Sequence, residues 1–160
     1  MVKRLEIDAL DAWAQAQRSA GKSIVLANGA FDMLHVGHLR YLEGARAEGD
    51  VLLVAMNSDS SVRQAKGPSR PVIPEDERQE LLEGLSCVEY TVRFSEPTVD
   101  RIIRSVRPAV HAKGPDYTVD TVPEGDLVRE LGGRVAIVGD PKDHSTTELV
   151  TKLGSVVTKE

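Results

Sequence analysis

An apolar run, Ile24-Val25-Leu26-Ala27, passes directly into Asn28-Gly29-Ala30-Phe31-Asp32-Met33-Leu34-His35-Val36-Gly37-His38, and Leu39, Leu42, Ala45 and Ala47 then recur at helical spacing. The run reads as a short buried strand, so both histidines fall where a strand turns into a helix, with Gly37 between them. A helix N-terminus carries unpaired backbone N–H groups and partial positive charge, and it attracts phosphate. Gly29 and Gly37 remove side chains where a phosphate has to approach the backbone closely. Two imidazoles at such a turn can donate hydrogen bonds to nucleotide oxygens. A bare pair of histidines has a plainer explanation as surface or satisfied core residues; the longer pattern on a strand-to-helix turn favours a nucleotide site.

The rest of the chain repeats the alternation. A helix is predicted over 8–20, with Asp8 as N-cap, Gly21 as stop, and Leu10, Trp13 and Ala14 as its apolar stripe; Trp13 reads as a packing anchor. Gly49-Asp50 precedes a nearly all-apolar strand over 51–56, as expected for a parallel strand covered on both faces. It ends in Asn57-Ser58-Asp59-Ser60-Ser61, where helix capping and ligand contact are both open readings. Lys66-Gly67-Pro68-Ser69-Arg70-Pro71-Val72-Ile73-Pro74 is a proline-stiffened loop carrying two cations, read as a phosphate clamp in preference to a solvated loop. A helix over 75–85 has Leu81, Leu82 and Leu85 inward. Strands over 88–94, 108–112 and 134–138 alternate with helices over 98–106 and 126–131. The fourth strand ends in Lys113-Gly114-Pro115-Asp116-Tyr117, which places a cation and an acid at the ligand edge. A C-terminal helix opens at Ser145-Thr146-Thr147-Glu148 and runs to 154. Ser145-x-x-Glu148 has the form of a capping box, and the same hydroxyls suit a phosphate cradle; the two roles are compatible. The expected fold is therefore a single α/β, Rossmann-like, doubly wound domain over 1–160, with a parallel sheet and helices on both faces. It comprises an N-terminal helix (1–21) and a catalytic core (24–153).

Composition narrows the function. At 160 residues, 41% hydrophobic and 28% charged, the chain suits one globular core, and with 4% aromatics that core must be aliphatic. A net charge of −5 argues against broad nucleic-acid binding, which needs excess Lys and Arg. The single cysteine, Cys87, has no internal partner and reads as buried and inert, which fits a reducing compartment. With no apolar run of membrane-spanning length and no signal-like N-terminus, a cytoplasmic protein with no membrane partner is expected.

Gly29-x-Phe31-Asp32-x-x-His35-x-Gly37-His38 resembles the signature of the cytidylyltransferase-like nucleotidyltransferase superfamily, whose His-x-Gly-His element is shared with class I aminoacyl-tRNA synthetases. A synthetase fragment does not fit a short acidic chain with no anticodon-reading region. Arg40-Tyr41-Leu42, Gly49-Asp50, Asn57-Ser58-Asp59, Lys66-Gly67-Pro68-Ser69-Arg70-Pro71, Lys113-Gly114-x-Asp116-Tyr117 and Ser145-Thr146-Thr147 are together similar to the adenylyltransferase family that makes ADP-activated heptose. The resemblance covers residues 24–153. Three positions depart from it: Ala30 where Cys is frequent, Pro115 where a second Gly is common, and His144 where Gly is usual.

The resemblance implies attack by a sugar 1-phosphate oxygen on the α-phosphate of ATP, giving ADP-sugar and pyrophosphate. It assigns His35, His38 and Lys66 to catalysis. Nucleotide contacts fall to Asn28, Gly29, Ala30, Phe31, His35, Gly37, His38, Lys113, Asp116, Ser145, Thr146 and Thr147. Asp32, Asn57, Asp59, Lys66 and Arg70 are the candidates for the second substrate. Mg²⁺ is expected to bridge triphosphate oxygens, with Asp32 as the candidate side chain to help hold it; a turn-structuring role is the alternative for Asp32 and equally for Asp116. A homodimer is expected on resemblance alone. The competing readings are a cytidylyltransferase acting on a phosphorylated alcohol such as glycerol 3-phosphate, and a non-catalytic nucleotide-binding module on the same fold.

Overall fold

The structure is a computed structural model that describes residues 3–141 and 145–158. Six strands form one parallel sheet: β1 (Lys3–Leu5), β2 (Ile24–Gly29), β3 (Val51–Asn57), β4 (Tyr90–Phe94), β5 (Val110–Lys113) and β6 (Arg134–Ile137), in the order β1-β4-β3-β2-β5-β6. The helices are α1 (Leu10–Ser19), α2 (Val36–Arg46), α3 (Asp59–Lys66), α4 (Glu75–Glu83), α5 (Asp100–Val106) and α6 (Gly125–Glu130) between strands, and α7 (Thr146–Val157) after the last. The parallel sheet and its helical layers confirm the expected Rossmann-like α/β class. No helix among the described residues is long and apolar enough to cross a membrane.

Alternation along the central strands builds two cores. Ile24 and Leu26 of β2 join Val51, Leu53 and Ala55 of β3 in one cluster with Leu10, Ala14, Ile102 and Ile103. Val25 and Ala27, with Leu52, Val54 and Met56, point the other way and pack with Leu42, Ala45 and Leu82. Successive side chains of a strand face opposite sides, so a continuous apolar run requires cover on both. From β2 the chain moves through β3 to β4 on one side, and through β5 to β6 on the other. At that reversal the connections part and leave a crevice beyond the carboxyl ends of β2 and β5.

Several local expectations change. β1 is an edge strand of Lys-Arg-Leu beside β4, and its charged sequence hides it from any apolar pattern. Residues 59–66 form a helix, α3, whose polar sequence buries only Ser61 and Val62; Ser58 caps it, accepting from the Ser61 N–H at 3.3 Å. Asp8 is not the cap of α1: it lies in a 3₁₀ turn and pairs with Arg101, and Ala9 precedes the helix. In α4, Leu82 is buried but Leu81 is 51% exposed, because the buried face is completed by Arg78 and Gln79. Cys87 is half-buried, and burial raises its thiol pKa. Trp13 packs edge-on against Tyr90 at 4.9 Å, and Gly21 stops the first helical segment at φ +75°.

Gly133 marks a close approach at the start of β6. A Cβ there would stand 2.3 Å from the Pro108 carbonyl oxygen and 3.1 Å from a Val128 methyl. Gly133→Ala is expected to lower stability by about 1–3 kcal/mol, the range for overpacking. Urea unfolding checks it: the midpoint should fall with an unchanged m value, and an unmoved midpoint would mean that the backbone here yields freely.

Candidate active site

The turn between β2 and α2 is held in a conformation that ordinary residues avoid. Phe31 and Met33 both have left-handed backbone, at φ 53° and 48°. Such residues persist only where the surroundings over-determine them. Three contacts do so. The Asp32 carboxylate, 3% exposed, accepts the Val72 and Ile73 N–H groups at 2.8 and 2.9 Å, with Arg70 at 3.8 Å. The Thr146 hydroxyl donates to the Asp32 carbonyl at 2.7 Å. The fully buried Arg78 donates to the Ala30 carbonyl. Phe31 then turns inward to stack with Tyr41, ring centroids 6.5 Å apart.

The two histidines close this turn as a reciprocal cap. His35 is the N-cap of α2, and its Nδ1 accepts the Gly37 N–H at 3.1 Å, while His38 Nδ1 accepts the His35 N–H at 3.2 Å. A ring nitrogen that accepts an N–H carries no proton, so each ring's proton sits on Nε2. The rings lie 4.0 Å apart. Burial, with His35 and Lys66 nearby, pushes the His38 pKa down to about 4, so near pH 7 it is a neutral N–H donor.

Both histidines line a cleft of about 510 Å³ at the carboxyl ends of β2, β3 and β5. Lys66, the last residue of α3, stands on one wall, and Lys113, the last of β5, on the other. Burial lowers the Lys113 pKa; its ammonium lies 3.9 Å from Glu124 and 4.8 Å from the centre of the Tyr117 ring. The start of α7 closes the third side: Ser145 caps it, accepting the Glu148 N–H at 3.0 Å, and Thr146 and Thr147 follow. Asn28 lines the floor, its Oδ1 3.0 Å from Nε2 of fully buried His111, which burial and Lys113 keep neutral with a pKa near 3. The Tyr41 hydroxyl donates to the Ala112 carbonyl at 2.6 Å, tying α2 to β5.

The structure therefore gathers Asn28, Gly29, Ala30, His35, Gly37, His38, Asn57, Lys66, Lys113, Asp116 and Ser145 to Thr147 around one cleft. Phe31, Asp32, Asp59 and Arg70 lie outside its lining. Phe31 is core; Asp59 pairs with Arg78 at 2.7 Å; Arg70 faces Asp32. Gly29 also differs from expectation, since a Cβ there would meet the Phe31 ring at 3.3 Å, so its missing side chain makes room for that ring. The Asp32 carboxylate is buried outside the cleft lining, and its two oxygens accept the Val72 and Ile73 N–H groups, which favours the turn-structuring role over the metal. Among the described residues no group of three or more His, Cys, Asp or Glu could hold an ion. His144, singled out in the sequence, lies outside the described residues. The sequence reading missed Arg78 and His111, and it had Tyr41 only within the resemblance. A histidine within a buried strand was the available signal for His111, whereas Arg78, on the polar helix α4, carried none.

The chain is similar to known proteins in sequence and fold. A relative described as bifunctional protein HldE from Syntrophotalea carbinolica is 46% identical over 139 residues, covering 87% of this chain and 28% of its own length. The protein of that description from Geobacter metallireducens is 46% identical over 147 residues, covering 92% of this chain and 30% of its own. The chain thus spans under a third of these relatives. Among solved structures, a lipopolysaccharide core biosynthesis protein from Thermoplasma volcanium superposes with a TM-score of 0.65 at 28% identity, over 76% of this chain and all of that one. A pantoate-beta-alanine ligase from Francisella tularensis, at 14% identity and TM-score 0.60, shares the fold over 91% of this chain and 69% of its own. The cytidylyltransferase-like family model matches residues 26–153, which takes in the turn, both histidines, both lysines and the start of α7, and the chain belongs to that family.

Proposed function

We propose that the chain transfers AMP from ATP to a sugar 1-phosphate, D-glycero-D-manno-heptose 1-phosphate being the first choice, with release of pyrophosphate. The observation that carries this reading is the reciprocal histidine cap. With both Nδ1 atoms accepting backbone N–H groups, the ring protons sit on Nε2, in two histidines that line a cleft also holding Lys66, Lys113 and a helix start. Such a surface suits anionic oxygens whose charge shifts from an α-phosphate to a leaving pyrophosphate. The acceptor phosphate oxygen attacks the α-phosphorus as the bond to the β-phosphate oxygen breaks. No protein nucleophile is required, because the attacking phosphate is already anionic. Catalysis then rests on alignment and on fixed donors.

In this reading His35 and His38 donate to α-phosphate and pyrophosphate oxygens, Lys66 holds the substrate or pyrophosphate, and Thr147 with the α7 N–H groups holds nucleotide phosphates. Asn28, Lys113 and Asp116 contact the nucleotide, and Asn57 faces the second substrate. Mg²⁺ enters with ATP, held by phosphate oxygens and water. The heptose rests on the motif resemblance and on the similarity to a lipopolysaccharide core biosynthesis protein. A cytoplasmic homodimer belongs to the same proposal, supported by an exposed apolar stripe on α7 at Leu153, Val156 and Val157. The direct test is pyrophosphate release with ATP or CTP across a panel of sugar 1-phosphates and glycerol 3-phosphate. Turnover with ATP and heptose 1-phosphate is expected; preference for CTP with glycerol 3-phosphate, or no turnover at all, would replace this reading.

His38→Asn keeps an acceptor near the place of Nδ1 and removes the Nε2 donor. It is expected to lower kcat by about 10²–10³, the effect of one lost transition-state donor. Calorimetric unfolding should show the fold retained. A folded variant with near wild-type kcat would remove His38 from the chemistry.

The two threonines of α7 should separate. The Thr146 hydroxyl donates to the Asp32 carbonyl, whereas Thr147 stands exposed at the cleft. Thr147→Val is expected to weaken ATP binding by the loss of a hydrogen bond to a charged group, about 1.5–3 kcal/mol, with a smaller loss for AMP. Thr146→Val should instead lower the melting temperature. Titration calorimetry with both nucleotides decides it: equal ATP affinity in Thr147→Val and wild type would leave this helix start as a cap alone.

A further inference from the structure

Arg78 is a fully buried guanidinium that no reading of the reaction above uses. Its Nε donates to the Ile73 carbonyl at 2.9 Å, and Nη1 donates to the carbonyls of Ala30 and, at 2.9 Å, Asn57. Nη2 donates to Asp59 Oδ1 at 2.7 Å. These acceptors belong to four different segments: the turn before the histidines, the end of β3, the first residue of α3, and the loop that follows α3. The first segment carries His35 and His38, and α3 ends in Lys66.

A fold that needed only stability at this position had a simpler choice. Removing a cation from water costs several kcal/mol, and well-packed apolar residues often replace buried ion pairs without loss. A guanidinium offers something an apolar side chain cannot: N–H vectors at fixed angles in one plane, able to set the separation of several carbonyls at once. The turn it grips is also the strained one. Ala30 directly precedes Phe31 at φ 53°, and Ile73, on the same guanidinium, donates its N–H to Asp32 within that turn.

We propose that Arg78 is the positioning residue of the transfer site, fixing the histidine turn against the α3–loop segment so that the His35 and His38 donors and the Lys66 ammonium converge on one phosphate group. This rests on the nucleotidyl-transfer reading. Arg78 touches no substrate; it acts through the backbone of Ala30, Asn57 and Ile73 and through Asp59.

The experiment compares Arg78→Lys with Leu10→Ala, a core truncation in the cluster on the opposite face of the sheet. Lysine keeps the charge but not the planar fork. Steady-state kinetics on ATP and the acceptor are combined with the ¹⁵N imidazole signals of His38. Arg78→Lys is expected to lower kcat roughly 10²-fold, the scale of a misplaced reacting group, with KM for ATP within about three-fold. Its His38 signals should move away from the wild-type Nε2–H pattern. Leu10→Ala should lose melting temperature while keeping kcat and the His38 signals. Wild-type kcat and signals in Arg78→Lys would overturn the proposal, as would equal changes in Leu10→Ala. If Arg78→Lys does not fold, Asp59→Ala takes its place: it removes one of the four acceptors at a partly exposed site, and His38 signals unchanged from wild type would overturn the proposal. A wild-type protein that transfers nothing sinks the nucleotidyl-transfer reading, and the imidazole signals still judge Arg78 separately.

Discussion

The left-handed backbone at Phe31 and Met33 is the constraint on which this structure turns. A chain leaving β2 has to reverse direction within a few residues and enter α2 with its first N–H groups facing the crevice. Two non-glycine residues at positive φ cost on the order of 1–3 kcal/mol each, so the turn cannot hold itself. It is held from the loop after α3 by Asp32, from α7 by Thr146, and from α4 by Arg78. All three ties reach residues distant in sequence, so the turn takes shape only when the sheet and its helices are assembled.

That arrangement explains the division of labour among the polar residues. Asp32, Asp59, Arg70 and Arg78 spend their charges on one another and on backbone groups beneath the cleft, whereas His35, His38, Lys66 and Lys113 line it. The lining is rich in donors. Neutral histidines suit it well: desolvation that would penalise a charged imidazole leaves an Nε2–H donor intact, and two neutral rings can stand 4.0 Å apart without repulsion. The cations sit at the ends of α3 and β5, where long side chains can follow a ligand's phosphates.

Stability and chemistry are divided by the sheet. The cluster containing Leu10, Ile102 and Ile103 on one face supplies apolar burial, and none of its buried side chains lines the cleft. The opposite cluster includes Phe31, and through Phe31 and Tyr41 its packing reaches the histidine turn directly. Glycines serve close packing at Gly29, where the Phe31 ring occupies the space of a side chain, and at Gly133, where a backbone oxygen does.

The sequence alone determined the sheet class, the strand-to-helix turn with its two histidines, the cations at the ligand edge and the capped start of α7. Each of these is written in local patterns: apolar runs, helical spacing, punctuation by Gly and Pro, and a Ser three residues ahead of a Glu. It left α3 and β1 unseen because neither carries an apolar pattern, one being a mostly polar helix and the other a charged edge strand. Only the tertiary structure decided which polar residues face the cleft and which hold it up. Asp32 and Asp59 look like ligands in sequence, yet their partners are Val72 and Ile73 for the one and Arg78 for the other, 40, 41 and 19 residues away. Arg78 reads as one more charge on a polar helix until the fold buries it. A side chain's role here follows from the hydrogen-bond partners that burial imposes, and those partners are set by packing between elements rather than by neighbours in the chain.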